Sequence, residues 1–251
     1  MRPSSLAVAA AAALTLLATA CGPQSSDSAE SSPASPSSAP ATSATKPADP
    51  LAAWPADKIA QTSLANLKAA PAVHVSGSLS DSGTTIGLDL TQGATKCAGT
   101  ISESGTGSFQ ILQDGTTVWL KPDDEFWKSA AGSDQSVLSE LEGKYLKTTT
   151  TDKDFSSLAD LCSPVKFGAL LDQPTSGLVK GKATVVSGVP ELQLRDSGDA
   201  DFFAVSDTAA PRLLELGQDA KHKLDFSGYG TAATVTPPSA SETLSGSQYG
   251  L

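Results

Sequence analysis

Histidine is scarce in this chain of 251 residues: His74 and His222 are the only two, beside three cysteines, Cys21, Cys97 and Cys162. Both histidines fall in stretches of alternating apolar and polar residues, with no cysteine or carboxylate at metal-ligand spacing. That argues against a zinc centre and for solvent-facing strand positions. Absent too are the G-x-S-x-G elbow, the phosphate-binding P-loop and the G-x-G-x-x-G dinucleotide fingerprint. Gly177-Leu178-Val179-Lys180-Gly181-Lys182 comes nearest to a phosphate loop, but its glycines stand too close together. Ser163-Pro164-Val165-Lys166 fits the S-x-x-K of penicillin-recognising enzymes without the companion S-D-N and K-T-G elements. A helix-capping serine with a first-turn proline is the plainer reading. Asp196, Asp199 and Asp201 lack the spacing and terminal glutamate of an EF-hand, and a solvated hairpin turn is expected there. No basic run or aromatic-basic stripe occurs, and 17 basic residues face 27 acidic ones for a net charge of −10. Nucleic acid is therefore not an expected partner, nor is adhesion to anionic lipid through charge. The residues nominate no catalyst, no metal and no cofactor, and an enzyme is not expected.

What is present begins at the N-terminus. Met1-Arg2 leads into an apolar stretch from Leu6 to Ala20, followed by Cys21-Gly22. Its charge, length and small-residue exit suit a secretory signal over residues 1–20, and it is too short for a spanning helix. A cysteine after small residues resembles the bacterial lipobox, in which Cys21 is diacylated and becomes the new N-terminus. Ala18-Thr19-Ala20 also suits ordinary signal peptidase, which would leave a soluble secreted protein. Cysteine counting favours the lipobox: with Cys21 acylated, Cys97 and Cys162 make an even pair for an oxidising compartment. A cell-membrane, lipid-anchored location on the extracytoplasmic face follows, since two acyl chains give stable attachment.

Residues 21–50 hold the lipidated cysteine and a Ser/Pro/Ala-rich run with no large apolar side chain before Leu51. Such a run cannot bury enough surface to offset its ordering entropy, and reads as a disordered tether spanning about 30 Å. Residues 237–251 are expected to form a disordered tail, which leaves one domain over 51–236. In that domain Asp57 is expected to cap a helix through Ile59, Ala60, Leu64 and Leu67. The period then switches to two: Val73, Val75 and Leu79, then Ile86, Leu88 and Leu90, alternate with polar residues. Further strands are expected over 96–102, 108–113 and 116–121, with Asp114-Gly115 as a hairpin turn. Short helices are expected over 123–128, 133–141 and 155–161, followed by 165–171. Strands resume at 177–180, 183–187, 191–196, 202–206, 212–216 and 222–226. Many short strands with few crossover helices imply an α+β fold with a large, strongly curved antiparallel sheet, its helices packed on the concave face.

This order of elements resembles the actinobacterial lipoproteins of the LppX/LprA/LprF/LprG type, which belong with the LolA-like half-barrel proteins. The supporting residues are Val73-His74-Val75-Ser76-Gly77, Val118-Trp119-Leu120-Lys121, Phe126-Trp127-Lys128 and Gly143-Lys144-Tyr145-Leu146. Leu224-Asp225-Phe226-Ser227-Gly228-Tyr229-Gly230, then Val235 and Pro237, complete the series. The resemblance implies a strongly bent half-barrel sheet and, in several members, an apolar cavity for the acyl chains of a lipid. The family has no invariant catalytic or binding motif to carry over, and the Cys97/Cys162 pair is not among its general marks.

Cys97 and Cys162 are read as a structural disulfide, with a redox role as the alternative that the missing C-x-x-C disfavours. Trp119 and Trp127 are expected in the core, with a cavity lip as the alternative. Two functional readings stand. In the first, the protein carries a lipid, glycolipid or other hydrophobic molecule. Its cavity would be lined by the inward strand residues Ile86, Leu88, Leu90, Ile101, Phe109, Ile111, Val118 and Leu120. Leu158, Leu161, Phe167, Leu170 and Leu171 of the helices would cover it. In the second, it is a non-enzymatic envelope sensor or scaffold acting through protein contacts, which a packed interior with an exposed apolar patch would favour. A membrane transporter or another envelope protein is the expected delivery partner in the first reading.

Overall fold

The computed structural model describes residues 49–81, 83–131, 139–153, 155–172, 175–186, 188–196, 201–219 and 221–246, all within the unit Pro47–Leu251. Cys21, the signal and nearly all of the tether lie outside the described residues. So do 133–138 of the helix expected over 133–141, and most of the turn expected at 196–199.

Helix α1 (Ala56–Lys68) precedes five strands: β1 (Ala72–Asp81), β2 (Thr84–Gly93), β3 (Lys96–Glu103), β4 (Gly107–Asp114) and β5 (Thr117–Pro122). Next come α2 (Asp124–Ala131), β6 (Tyr145–Thr149), α3 (Ser156–Asp160) and α4 (Pro164–Leu170). Then follow β7 (Leu178–Val186), β8 (Val189–Asp196), β9 (Phe202–Ser206), β10 (Leu213–Gly217) and β11 (Lys223–Ser227). A 3-10 turn (Ala240–Glu242) and β12 (Thr243–Ser245) close the described chain. The strands form one open, twelve-stranded sheet in the order β12-β6-β5-β4-β3-β2-β1-β11-β10-β9-β8-β7, an α+β architecture with few short helices that fits a curved half-barrel.

Among the described residues every pairing is antiparallel except one: β12 lies parallel to β6, with Leu244 opposite Leu146, so the sheet is mixed at that edge. Within the segment expected as a tail over 237–251, residues 240–245 form the 3-10 turn and β12. Ser239 and Glu242 form a reciprocal capping box, and Leu244 packs against Trp127, Leu141 and Leu146. Two further expectations are corrected. Pro55, not Asp57, stands at the N-cap of α1, and Asp57 lies in its first turn, where the helix dipole favours a carboxylate. The strands expected at 177–180 and 183–187 are one strand, β7, whose register shifts between Lys180 and Ala183.

Alternation holds where the sheet is covered. Val73, Val75, Leu88, Leu90, Ile101, Ile111, Val118 and Leu120 are buried with Ile59, Leu64 and Leu67 of α1 and Phe167 of α4 in one continuous core. Close strand approach is set at Gly77 (φ 131°), where a Cβ would stand 2.1 Å from the Lys223 carbonyl oxygen of β11. Ser163 caps α4 as expected, its hydroxyl accepting from the Lys166 N–H at 3.4 Å, with Pro164 opening the helix. Trp119 and Trp127 are both buried.

Candidate functional site: an apolar cleft at one end of the sheet

Burial fails at the end of the sheet where β7, β10 and β1 run past the cover of α4. Leu79 of β1, Leu170 and Leu171 at the end of α4, Leu178 of β7, Phe203 of β9 and Leu216 of β10 bound a cleft of about 300 Å³. Asp196, Asp201, Gly217 and Gln218 also line it. The volume stands at the lower end of small-molecule sites, room for one slender apolar group.

Local interactions fix the wall formed by α4. Lys68 at the end of α1 donates to both carboxylate oxygens of Asp172, at 2.7 and 2.5 Å, just beyond the helix. Its aliphatic stem passes over Gly168, where a Cβ would lie 2.7 Å from Lys68 Cγ. The helix therefore ends pinned to α1. Leu171 is left nearly buried on the cleft while Leu170 stands 60% exposed.

Leu170 and Leu171 are the two predicted cavity residues that the structure brings to the cleft. Leu88, Leu90, Ile101, Ile111, Val118, Leu120 and Phe167 instead belong to the filled core, with Phe109, Leu158 and Leu161 partly buried against it. Ile86 shares the inward face of Leu88 but lies opposite Leu79 at the open strand end, 43% exposed. The physical reason is that α1 and α4 descend far enough to fill the middle of the sheet and stop short of this end. Leu178, Phe203, Leu216, Asp196, Asp201 and Gln218 are cleft residues that sequence reasoning did not nominate. Their alternation was visible; the place where helical cover ends was not.

Cys97 of β3 and Cys162 in the turn between α3 and α4 are bonded and buried. His74 lies on the outer face, with Nδ1 3.2 Å from Thr91 Oγ1 and Nε2 3.5 Å from Asp89. His222 pairs with Asp219, whose carboxyl is held at about 2 by hydrogen bonds from the His222 ring and from the Lys221 and His222 backbone N–H groups. Neither histidine lines the cleft, and among the described residues no three metal-binding side chains gather.

Two grooves hold polar groups instead. One, of about 440 Å³, is lined by Gln193, Arg195, Phe202, Glu215, Gln218, Asp219 and Lys223. Lys223 there bridges Glu215 at 2.5 Å and Asp225 at 2.7 Å. Beside this bridge the nearly buried Glu191 has its carboxyl pushed above the ordinary range, first by burial and then by the charge of Glu215. The other, of about 410 Å³, is shallow and bordered by the hydroxyls of Ser78, Thr85, Ser102 and Ser108. Neither offers apolar walls comparable to those of the cleft.

No family model matches the chain, and no curated protein matches it.

Proposed function

We propose that the protein is a lipid-anchored, extracytoplasmic lipoprotein that holds the hydrocarbon part of a lipid or another hydrophobic molecule in the cleft between α4 and β7–β10. In this reading Cys21 is the acylated residue, residues 22–50 are the tether, and the domain is a half-barrel of the LppX/LprA/LprF/LprG kind. The carrying observation is the cleft: six large apolar side chains converge on an open space of about 300 Å³ at the end of an otherwise filled core. Each methylene moved from water into such a space contributes about 0.8 kcal/mol. Association costs at least about 4 kcal/mol, so a chain shorter than roughly six carbons would not be retained. No catalytic residue is assigned, because hydrocarbon retention needs a dry surface and no reacting group.

The test is mass spectrometry of the full chain extracted gently from its native envelope. A non-covalent acyl lipid near one per protein, in addition to the acylated N-terminus, is expected. Recovery of empty protein alone overturns the reading.

A second reading, a scaffold without a small ligand, has its own observation. Val185, Val186 and Val189 stand exposed around the tip of the β7–β8 hairpin, Val185 at 70%. A surface of that kind suits contact with another envelope protein.

A further inference from the structure

Resting on the lipid-anchored part of the reading above, we infer that the tip of the β7–β8 hairpin docks into the bilayer that holds the anchor. Val185 and Val186 are consecutive on β7 and so point to opposite faces of the ribbon. Both are exposed, Val186 at 48%, as is Val189, its pairing partner on β8, at 42%. Residues 179–186 are exposed throughout, and Pro190 stands in the open after Val189. A hairpin that belongs to a core buries one face; the tip of this one buries neither. A protein partner or a second copy packs against one face of such a ribbon, whereas a head-group layer surrounds it.

The anchoring segment joins the domain beside this tip. Lys180 of β7 donates to the Leu51 and Ala52 carbonyl oxygens, at 2.6 and 2.9 Å. The Asp207 carboxyl, in the β9–β10 loop, lies beside that of Asp49. The Asp207 backbone N–H in turn donates to the carbonyl oxygen of Pro190, the neighbour of Val189, at 2.9 Å. A tether that enters the domain at Asp49 therefore keeps the valines at high local concentration near the bilayer surface. Along the hairpin the nearest charged residues are Lys182 and Glu191, and Glu191 is nearly buried. Docking by apolar burial needs no anionic lipid, in keeping with a net charge of −10.

The experiment places a nitrobenzoxadiazole label on Val185→Cys and, as the reference, on Gln110→Cys at an exposed position of β4. With Cys97 and Cys162 bonded and Cys21 acylated, the added thiol alone takes the label. The acylated full chain is reconstituted in neutral phosphatidylcholine vesicles and floated with them. The label at 185 should be quenched by nitroxides on the lipid acyl chains and be several-fold less accessible to iodide than the label at 110. A Val189→Cys label should behave like that at 185. In the background Val185→Asp/Val186→Asp, its fold checked by circular dichroism, it should become as accessible as the reference. Equal iodide access at 185 and 110 in floated protein, or unchanged shielding in the double variant, overturns the docking inference and leaves the anchor and cleft readings in place. Shielding without quenching by acyl nitroxides marks contact with a second copy and also overturns it. So does shielding that appears only when envelope proteins are added. Protein that does not float with the vesicles overturns the anchor and the docking together.

Discussion

Cys97 of β3 and Cys162, in the turn between α3 and α4, are joined with their Cα atoms 5.5 Å apart. Two hydrogen bonds flank the link: the Gly93 N–H donates to the Cys162 carbonyl oxygen at 3.3 Å, and Gln92 Nε2 donates to that of Leu161 at 2.7 Å. The helical layer over the core is thus stitched to β2 and β3 at three adjacent points, and α4, one wall of the cleft, follows directly from the stitch.

Removing the covalent stitch should loosen that wall. Its residues are 65 apart in sequence, a separation for which the chain-entropy model gives about 4 kcal/mol. Cys97→Ala/Cys162→Ala is expected to lose about 2–4 kcal/mol in urea unfolding, with amide exchange over 156–171 rising more than in β1 and β2. An unchanged unfolding midpoint would count against the structural role of the pair.

Glu191 gives the fold a pH signature. Burial and the Glu215 charge raise its carboxyl above the ordinary value, so the folded state holds that proton more tightly than the unfolded chain. Its contribution therefore favours the fold in acid and declines as pH rises from about 4.3 through the raised folded value. Glu191→Gln should remove this decline and gain stability relative to the natural chain between about pH 5 and pH 7. Urea unfolding across that range measures the difference between the two; parallel pH dependences contradict the assignment.

The parallel strand β12 shields the β6 edge. Lys144 Nζ donates to the Ser241 carbonyl oxygen at 2.8 Å, and Leu244 packs on the Trp127–Leu141–Leu146 group. Leu244→Asp would place a charge against that group and is expected to cost about 1–2 kcal/mol. Faster amide exchange over 145–149 is the accompanying sign, and unaltered exchange there would show that β12 does not protect the edge.

In the proposed function, membrane attachment rests on one thiol. Cys21→Ser should move the protein from the membrane fraction to the medium, as followed by fractionation and immunoblotting. Full retention of the variant would contradict anchoring through Cys21.

Much of the fold was readable because its signals are local. Val73 and Val75, or Leu88 and Leu90, declare an inward face by spacing alone, Asp114-Gly115 turns β4 into β5, and Ser163-Pro164 starts α4. Two elements carry no such signal. Tyr145–Thr149 and Thr243–Ser245 are short and pair across nearly a hundred residues, so each is a strand mainly because the other and β5 offer hydrogen bonds. The cleft was harder still. Leu79 and Leu216 alternate no differently from core leucines. They line open space because α4 ends at Leu170, beside the Lys68–Asp172 ion pair, and leaves this end of the strands uncovered.

The most direct test of the cleft's role is photo-crosslinking with a palmitoyl chain bearing a diazirine near its end, offered to the full chain and mapped by peptide mass spectrometry. The account predicts label on the peptides carrying Leu170 and Leu171 and those carrying Leu216 to Gln218, competed away by unmodified monopalmitoylglycerol. Label confined to the Val185–Val189 hairpin tip, or none above background, would contradict it.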